Sequence, residues 1–491
     1  MAASVAVPLW LFVIMALLAA WAAGVLLLAP GMRWFFRRRI NAVIEELNTR
    51  LKIELPSFKL TRREVLIDRL FHDPRIQAAA EAHAKETGEP LLDVRRRVDR
   101  YAREIVPSFN AYLYFRLGYW LAKSVARLLY RVRLGYADEA GLAAVDPKST
   151  VVFVMNHRSN MDYVLVAFLA AEQVALSYAV GEWARIWGLQ ALIRSMGAYF
   201  VRRNSGDPLY RIVLSRYVSM ATEAGVPQAL FPEGGLTVDG ALRPPKFGLL
   251  DYMVKNFRPD GERDLVFIPV GLNYDRVLED RSQLLKLEAQ RRRRGLLSAV
   301  SVTLTFVARN VWQMATGHWH RFGYACVNFG SPVSMRRYVR ERGLDFAGLD
   351  EAARKDEVAA LGRELMQAIG GVVPVVPVAL VAQVFVQDAA RALSELEIKS
   401  SAFALLHEWE GRGAHVYIPR HDQDYAIGVG LRMLMLRHVV EENDGLFRTV
   451  EENLPLLAYY ANSIAHFAGS AAPVGAIAEP ALAVAGPDVV S

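Results

Sequence analysis

Thr150-Val151-Val152-Phe153-Val154-Met155-Asn156-His157-Arg158-Ser159-Asn160-Met161-Asp162 runs directly into the apolar stretch 164–169. The first seven residues are rich in β-branched and aromatic types, and read as a strand. A polar turn follows, then residues suited to a helix. Comparable β-rich runs recur at 176–180, 198–202, 228–231, 265–272 and 324–329, each separated from the next by helical stretches. This alternation predicts an α/β domain over 133–349, a central β-sheet flanked by helices. Within it, Phe267-Ile268-Pro269-Val270-Gly271 places a proline in an apolar strand, which points to a sheet edge or a strand end.

The flanking regions have a different texture. Residues 33–132 read as helical, with apolar residues at three- and four-residue spacing in 62–70, 91–105 and 109–132. Trp120, Leu121, Val125, Leu128 and Leu129 form one stripe, expected as a buried core face, with a membrane-surface face as the alternative. The region 350–467 is expected to be mostly helical, and an Ala/Pro/Gly tail at 468–491 to be disordered. Between them the uncharged run 365–387 contains Pro374 and Pro377. Two prolines so close argue against an unbroken spanning helix, so a buried or membrane-apposed segment is expected.

Residues 1–32 carry no charged side chain, and 8–29 is apolar throughout. A spanning helix needs ~20 such residues. Arg33, Arg37, Arg38 and Arg39 follow at once, so the positive-inside rule predicts one N-terminal transmembrane helix with the rest on the cytoplasmic side of the cell (inner) membrane. A cleaved signal peptide is the competing reading, but it lacks a basic leading region. A formal charge of +7 over 491 residues suits anionic partners, membrane lipids among them. No RNP motif, zinc finger or basic zipper is present, so no nucleic-acid partner is expected. The single cysteine, Cys326, excludes an internal disulfide and a Cys-rich metal cluster. His318-Trp319-His320 has no acidic or cysteine cluster beside it, and no metal site is expected. The arginines at 291–294 fit a solvated charge run or an anion-facing one.

The chemistry-bearing residues sit at strand ends. His157 stands just past the first strand, where loops meet ligands, and Asp162 follows five positions on. None of the other nine of the ten histidines has an aspartate at that spacing. A carboxylate on one imidazole nitrogen sets the tautomer and raises the basicity of the other, the pairing a general base needs. The competing reading makes Ser159 and Asp162 a helix cap and His157 a solvated turn residue. Gly197-Ala198-Tyr199-Phe200-Val201-Arg202-Arg203 is a short strand ending in paired guanidiniums, suited to phosphate or simply solvated. Phe231-Pro232-Glu233-Gly234-Gly235 closes another strand with a carboxylate and two small residues, for close ligand approach or a plain turn.

In this order the segments resemble the four sequence blocks of the glycerolipid acyltransferases, most closely the bacterial membrane-bound glycerol-3-phosphate and dihydroxyacetone-phosphate acyltransferase branch. His157 and Asp162 fall on its His-x4-Asp block, Gly197 to Arg203 on the second, Phe231 to Gly235 on the third, and Ile268-Pro269 on the fourth. Asp73-Pro74-Arg75-Ile76-Gln77, Pro374-Val375-Val376-Pro377-Val378 and Tyr459-Tyr460-x-Asn462-x-Ile464-x-His466-Phe467 resemble its flanks, so the likeness runs from about residue 60 to 467.

The resemblance implies the glycerolipid acyltransferase fold, with His157 as general base and Asp162 orienting it. It places Arg202 and Arg203 in a substrate-phosphate block and Glu233, Gly234 and Gly235 in an acceptor-binding one. It implies an acyl thioester donor, acyl-CoA or acyl-carrier protein, as co-substrate, and no cofactor. The third block departs from its branch, which usually continues Gly-Gly-Arg-Ser-Arg-Thr-Gly. Here it reads Gly234-Gly235-Leu236-Thr237-Val238-Asp239-Gly240, without either arginine, and Arg243 and Lys246 just downstream are candidates to replace them. Three functions stay open: transfer to glycerol 3-phosphate in phospholipid biosynthesis, transfer to lysophosphatidate, and a non-catalytic lipid-binding relative. The sequence leaves the oligomeric state open.

Overall fold

The computed structural model describes residues 56–111, 113–170, 176–180, 189–202, 205–285, 321–346 and 348–468. The expected anchor at 1–32, Arg203, the arginines at 291–294, the 318–320 segment and the tail from 469 lie outside these residues. Among the described residues no helix is long and apolar enough to cross a membrane.

Eight strands form one mixed sheet: β1 (Arg131–Ala137), β2 (Thr150–Met155), β3 (Ser177–Val180), β4 (Tyr199–Phe200), β5 (Gln228–Leu230), β6 (Leu265–Tyr274), β7 (Tyr324–Phe329) and β8 (Val333–Ser334). Their order is β1-β7-β6-β2-β5-β3-β4, with β8 also beside β6. β2 lies between β5 and β6 and runs parallel to both. It is buried at every position because both faces of the sheet are covered. Val151, Phe153 and Met155 enter one apolar cluster, and Val152 and Val154 the other, following the two-residue alternation of a strand.

The first cluster is completed by helices Tyr119–Leu129, Met161–Ala170, Pro377–Gln387, Gln423–Leu436 and Leu454–Ala461. The second uses Arg63–Phe71, Leu91–Ile105, Pro208–Glu223 and Glu351–Val372. The result is an α/β/α arrangement whose outer layers come from both ends of the chain. Asp73, in the N-terminal flank that resembles the family, caps helix Pro74–Thr87 by accepting from the Arg75 N–H. Its other oxygen accepts from Arg216 Nε at 2.6 Å, which ties that helix to Pro208–Glu223.

Several expectations are corrected. The helix expected over 109–132 ends at Leu129, and β1 follows from Arg131, pairing in parallel with β7. The stripe expected as a core face is split: Val125 and Leu129 pack on the core, whereas Trp120, Leu121 and Leu128 are exposed. Ala122 and Ala126 are the buried side of that helix, small enough to bring it close to helix Met161–Ala170. Pro269 is at neither an edge nor an end, but in the middle of β6 opposite Val154. Its carbonyl accepts from Gly330 N, on the side where β6 changes partner from β8 to β7. The missing N–H belongs to that same side, so no ladder bond is lost. Within the helical region after 350 sits a small antiparallel sheet, β9 (Leu393–Ser394), β10 (Val440–Asn443) and β11 (Leu446–Thr449). Asp444 and Gly445, both at positive φ, turn its hairpin.

The run 365–387 is divided as the prolines suggested. Helix Glu351–Val372 stops, residues 373–376 are extended or irregular, and Pro377 opens helix Pro377–Gln387, buried from Pro377 to Phe385. Eleven residues of helix measure about 16 Å, short of a ~30 Å hydrocarbon core.

Candidate active site

Asn156 ends β2 by a side-chain imitation of the ladder. Its Nδ2 donates to Leu272 O at 2.9 Å and its Oδ1 accepts from Leu272 N at 2.8 Å. The backbone is thereby free to turn, and His157 leaves the sheet at the parallel strands' C-terminal edge, a common ligand position in α/β folds. His157 Nδ1 lies 2.9 Å from Asp162 Oδ2. The same oxygen accepts from the backbone N–H groups of Arg158 at 2.8 Å and Ser159 at 3.0 Å. Its partner oxygen accepts from the Tyr274 hydroxyl. One carboxylate therefore both caps the turn and holds the imidazole. With two N–H donors already on Oδ2, an acceptor there requires Nδ1 to carry its proton, which leaves Nε2 as the lone-pair nitrogen.

A second carboxylate holds the turn from outside. Glu279, half-buried and with its carboxyl pushed upward in pKa by desolvation, accepts from Ser159 Oγ at 2.7 Å and from Asn160 N and Nδ2 at 3.2 and 3.0 Å. The imidazole ring lies 4.1 Å from the Phe231 ring and 5.5 Å from that of Tyr163. Both histidine and aspartate are buried.

The loop after β5 wraps this turn. Glu233 Oε1 accepts from His157 N at 2.9 Å and Oε2 from Arg243 N at 3.1 Å. Burial pushes the Glu233 carboxyl up to about 8, against the pull of those two N–H groups. Thr237 N donates to His157 O and Lys246 N to Pro232 O. Asp239, the residue foreign to the family's block, shapes the loop internally: its Oδ1 accepts from Thr237 Oγ1 and from Ala241 N. Gly234 turns at φ +67° with its N–H on Phe231 O. Gly240 stands at φ +89°, and a Cβ there would lie 1.8 Å from Tyr459 O. Arg158, buried, crosses from the first block to this glycine, donating to Gly240 O at 2.9 Å with its guanidinium 5.1 Å over the Tyr459 ring.

The C-terminal flank thus closes the back of the site. Asn462 Nδ2 donates to Asp239 O at 3.0 Å. Tyr460 donates to Asp280 and accepts from Val277 N and Arg437, and Arg437 also pairs with Asp280 at 2.7 Å. His466 Nε2 lies 2.9 Å from Gly370 O, a strut from this flank to helix Glu351–Val372.

In front of His157 opens a cleft of about 320 Å³, lined by Tyr163, Tyr210, Leu214, Phe231 and other largely apolar residues, with Arg202, Arg211 and Lys246 as cations. Of the predicted binding residues, Arg202, Gly234 and Lys246 line it, whereas Glu233, Gly235 and Arg243 are not among its described lining. The Arg202 guanidinium is already forked onto Glu104, with Nε 2.8 Å from Oε1 and Nη2 2.5 Å from Oε2, between the Tyr101 and Tyr210 rings. Sequence reasoning missed Tyr274, Glu279 and Arg211. Tyr274 ends the strand of the fourth block, the one signal that pointed near it; Glu279 and Arg211 carry no local signal. Among the described residues no group of His, Cys, Asp and Glu is placed to hold a metal.

Comparison with known proteins bears on the same elements. A family model described as "Acyltransferase" matches residues 138–273, and one described as "Glycerol-3-phosphate acyltransferase C-terminal region" matches 310–479. A protein named "Glycerol-3-phosphate acyltransferase" from Xylella fastidiosa (strain M23) is 24% identical over 445 residues, 87% of this chain and 50% of its own length. One of the same name from Pseudomonas putida (strain KT2440) is 25% identical over 422 residues, 83% of this chain and 49% of its own. The chain spans about half the length of these curated relatives. The crystal structure of the 1-acyl-sn-glycerophosphate (LPA) acyltransferase PlsC from Thermotoga maritima covers 52% of this chain and 78% of its own, with 16% identity and a TM-score of 0.30, too slight to argue from. The two family models match the strands that carry the site and the helices that close it, and relatives of one name align along most of the sequence, so this chain is similar to the glycerol-3-phosphate acyltransferases.

Proposed function

We propose that this protein is a glycerol-3-phosphate O-acyltransferase that moves a fatty acyl group from a thioester, acyl-CoA or acyl-carrier protein, to a hydroxyl of a glycerol-phosphate acceptor. The observation that carries the reading is the buried His157–Asp162 pair at 2.9 Å, with its histidine on a cleft that also presents Arg211 and Lys246. Nε2 takes the proton of the acceptor hydroxyl as its oxygen attacks the thioester carbonyl. Asp162 stabilises the imidazolium so formed. As the carbon–oxygen bond forms and the carbon–sulfur bond breaks, the thiolate leaves and takes the proton back from Nε2. Free thiol and acyl ester are the products, and neither metal nor redox partner is needed for balance.

The apolar side of the cleft suits the start of an acyl chain, and its cations suit a phosphate. Leu236 and Val238 stand where the branch has arginines, so the phosphate falls to Lys246 and Arg211, with Arg203 of the second block. Glu233 acts at one remove, holding the His157 amide and the acceptor loop in register. An N-terminal span, the catalytic part on the cytoplasmic side of the inner membrane, completes the proposal.

The test is incubation of the purified full chain with labelled acyl-CoA and a panel of acceptors, identifying products. Glycerol 3-phosphate should be acylated, and Lys246→Ala and Arg203→Ala should each raise the acceptor KM about 10- to 100-fold, the loss of one charged hydrogen bond, with the donor KM little changed. Equal turnover of glycerol without its phosphate rejects the phosphate-holding cations. Turnover of lysophosphatidate alone moves the assignment to that acceptor, and no turnover of any acceptor leaves a non-catalytic relative.

A further inference from the structure

Outside the cleft, one exposed face combines large apolar residues with unneutralised cations. On helix Tyr119–Leu129, Trp120 is 62% exposed, Leu121 39% and Leu128 48%. Seven-residue spacing sets Arg127 in line with Trp120 and Leu128 in line with Leu121, so apolar and basic side chains share one face. The chain continues into β1, at the edge of the sheet, where Arg131, Arg133 and Leu134 are exposed.

Between the helix and this strand lies an open cavity of about 450 Å³ lined by Arg127, Arg131, Arg133 and Arg321, with Tyr130 and Phe168. No carboxylate is among its described lining. Arg131 and Arg133 meet tyrosine hydroxyls, Tyr324 at 3.4 Å and Tyr417 at 3.0 Å, and Arg127 lies 5.7 Å from the Phe168 ring. Among the described residues none of the four pairs with an acidic side chain. Four clustered guanidiniums repel one another until an anion joins them. An isolated phosphorylated metabolite would satisfy the charge but would leave Trp120, Leu121 and Leu128 facing water. An anionic bilayer answers both, since tryptophan and leucine enter the headgroup–acyl boundary while arginine meets lipid phosphate.

We propose that this face, helix Tyr119–Leu129 with the start of β1, docks on an anionic phospholipid bilayer. Trp120, Leu121 and Leu128 insert at the boundary, and Arg127, Arg131, Arg133 and Arg321 take headgroup phosphates. The surface is one aromatic pair away from the candidate active site. Tyr130 packs on Tyr274 with ring centres 5.3 Å apart, and the Tyr274 hydroxyl holds Asp162. The docking stands whether or not the chain transfers acyl groups, because it rests on this face alone.

The only native cysteine, Cys326, is fully buried, so a single added thiol can be labelled. The full chain is reconstituted with an environment-sensitive fluorophore on Leu128→Cys or, as reference, on Leu396→Cys, a position 77% exposed on helix Glu395–Gly411. Vesicles contain phosphatidylcholine alone or with phosphatidylglycerol, plus a lipid-borne nitroxide quencher. In anionic vesicles the label at 128, carried about 5–10 Å into the headgroup–acyl boundary, is expected to be quenched at least about fivefold more than that at 396, which stays in water. Adding Arg127→Glu with Arg131→Glu, or removing phosphatidylglycerol, should abolish most of the difference. Equal quenching of the two labels in anionic vesicles overturns the proposal. So does a label at 128 that is shielded from an aqueous quencher equally in both vesicle types without lipid-borne quenching, which would mean that another part of the chain or a second copy covers the face.

Discussion

Asparagine at position 162 isolates the charge of the carboxylate from its shape. Asp162 is fully buried, and its Oδ2 serves three donors while Oδ1 serves the Tyr274 hydroxyl. In Asp162→Asn the amide oxygen can keep the His157, Arg158 and Ser159 contacts, and the amide nitrogen can donate to a rotated Tyr274 hydroxyl. The turn should therefore survive, with Tm close to the parent. What disappears is a negative charge beside a ring that becomes imidazolium. Two unit charges about 4 Å apart attract by about 4 kcal/mol at an effective dielectric constant of about 20. A neutral hydrogen bond restores about 1 kcal/mol of this. The remaining ~3 kcal/mol corresponds to a fall in kcat on the order of 10²-fold. The acceptor KM should stay within about twofold of the parent if binding is uniform, because a transition-state charge effect appears in kcat. Tyr274→Phe is the complementary change: it removes a donor and leaves the charge. An unsatisfied buried oxygen costs about 1–3 kcal/mol of stability, so Tm should fall while kcat stays within a few-fold. Thiol release from acyl-CoA measures turnover, and thermal melting followed by circular dichroism measures stability. A folded Asp162→Asn protein with kcat within about threefold of the parent would refute the reasoning.

Three further outcomes are expected. His157→Ala should lower turnover about 10²- to 10⁴-fold, as loss of a general base does, in a protein that still folds although its buried contacts to Asp162 and Phe231 are gone; full activity in the folded variant removes His157 from the mechanism. Gly240→Ala places a Cβ 1.8 Å from Tyr459 O at φ +89°, so the loop after β5 must shift, and both Tm and turnover should drop; a variant indistinguishable from the parent in both contradicts the loop's close docking. Asp275 is buried, accepts from Tyr324 N and Val378 N, and is pushed up to about 7 by burial. Unfolded, it ionises near 3.9, so between about pH 4 and 7 the folded state binds more protons, and stability falls as pH rises, by up to about 1.4 kcal/mol per pH unit from this group. Denaturant titrations across that window should show this fall shrink in Asp275→Asn, and an unchanged slope rejects the assignment.

The central sheet was legible because its strands carry their signal locally. The run from Thr150 to Met155 has no charge to place in water, and its polar turn into Met161–Ala170 is written in adjacent residues. Proximity of His157 and Asp162 was legible for the same reason: five residues of turn bring them together, helped by the Arg158 and Ser159 amides. β1 was not legible. Arg131 to Ala137 is exposed at all but two positions, and it is a strand because β7, almost two hundred residues later, offers it hydrogen bonds. Position 269 was misread because a single sequence shows a proline but not which side of the strand lacks a partner.

By itself, then, the sequence determined the α/β class, the strand-end location of the chemistry, and the order of blocks that resembles the family. Each depends on residues within one or two turns of each other. Tertiary structure decided what those residues are bound to. Tyr274 reaches Asp162 from 112 positions away, Glu233 reaches the His157 amide from 76, and Glu279 reaches Ser159 from 120. It also decided that Trp120, Leu121 and Leu128 face outward, since the Ala122 and Ala126 side had helix Met161–Ala170 to pack on. Helical spacing says which residues share a face, whereas only the positions of the neighbouring elements say which face is covered.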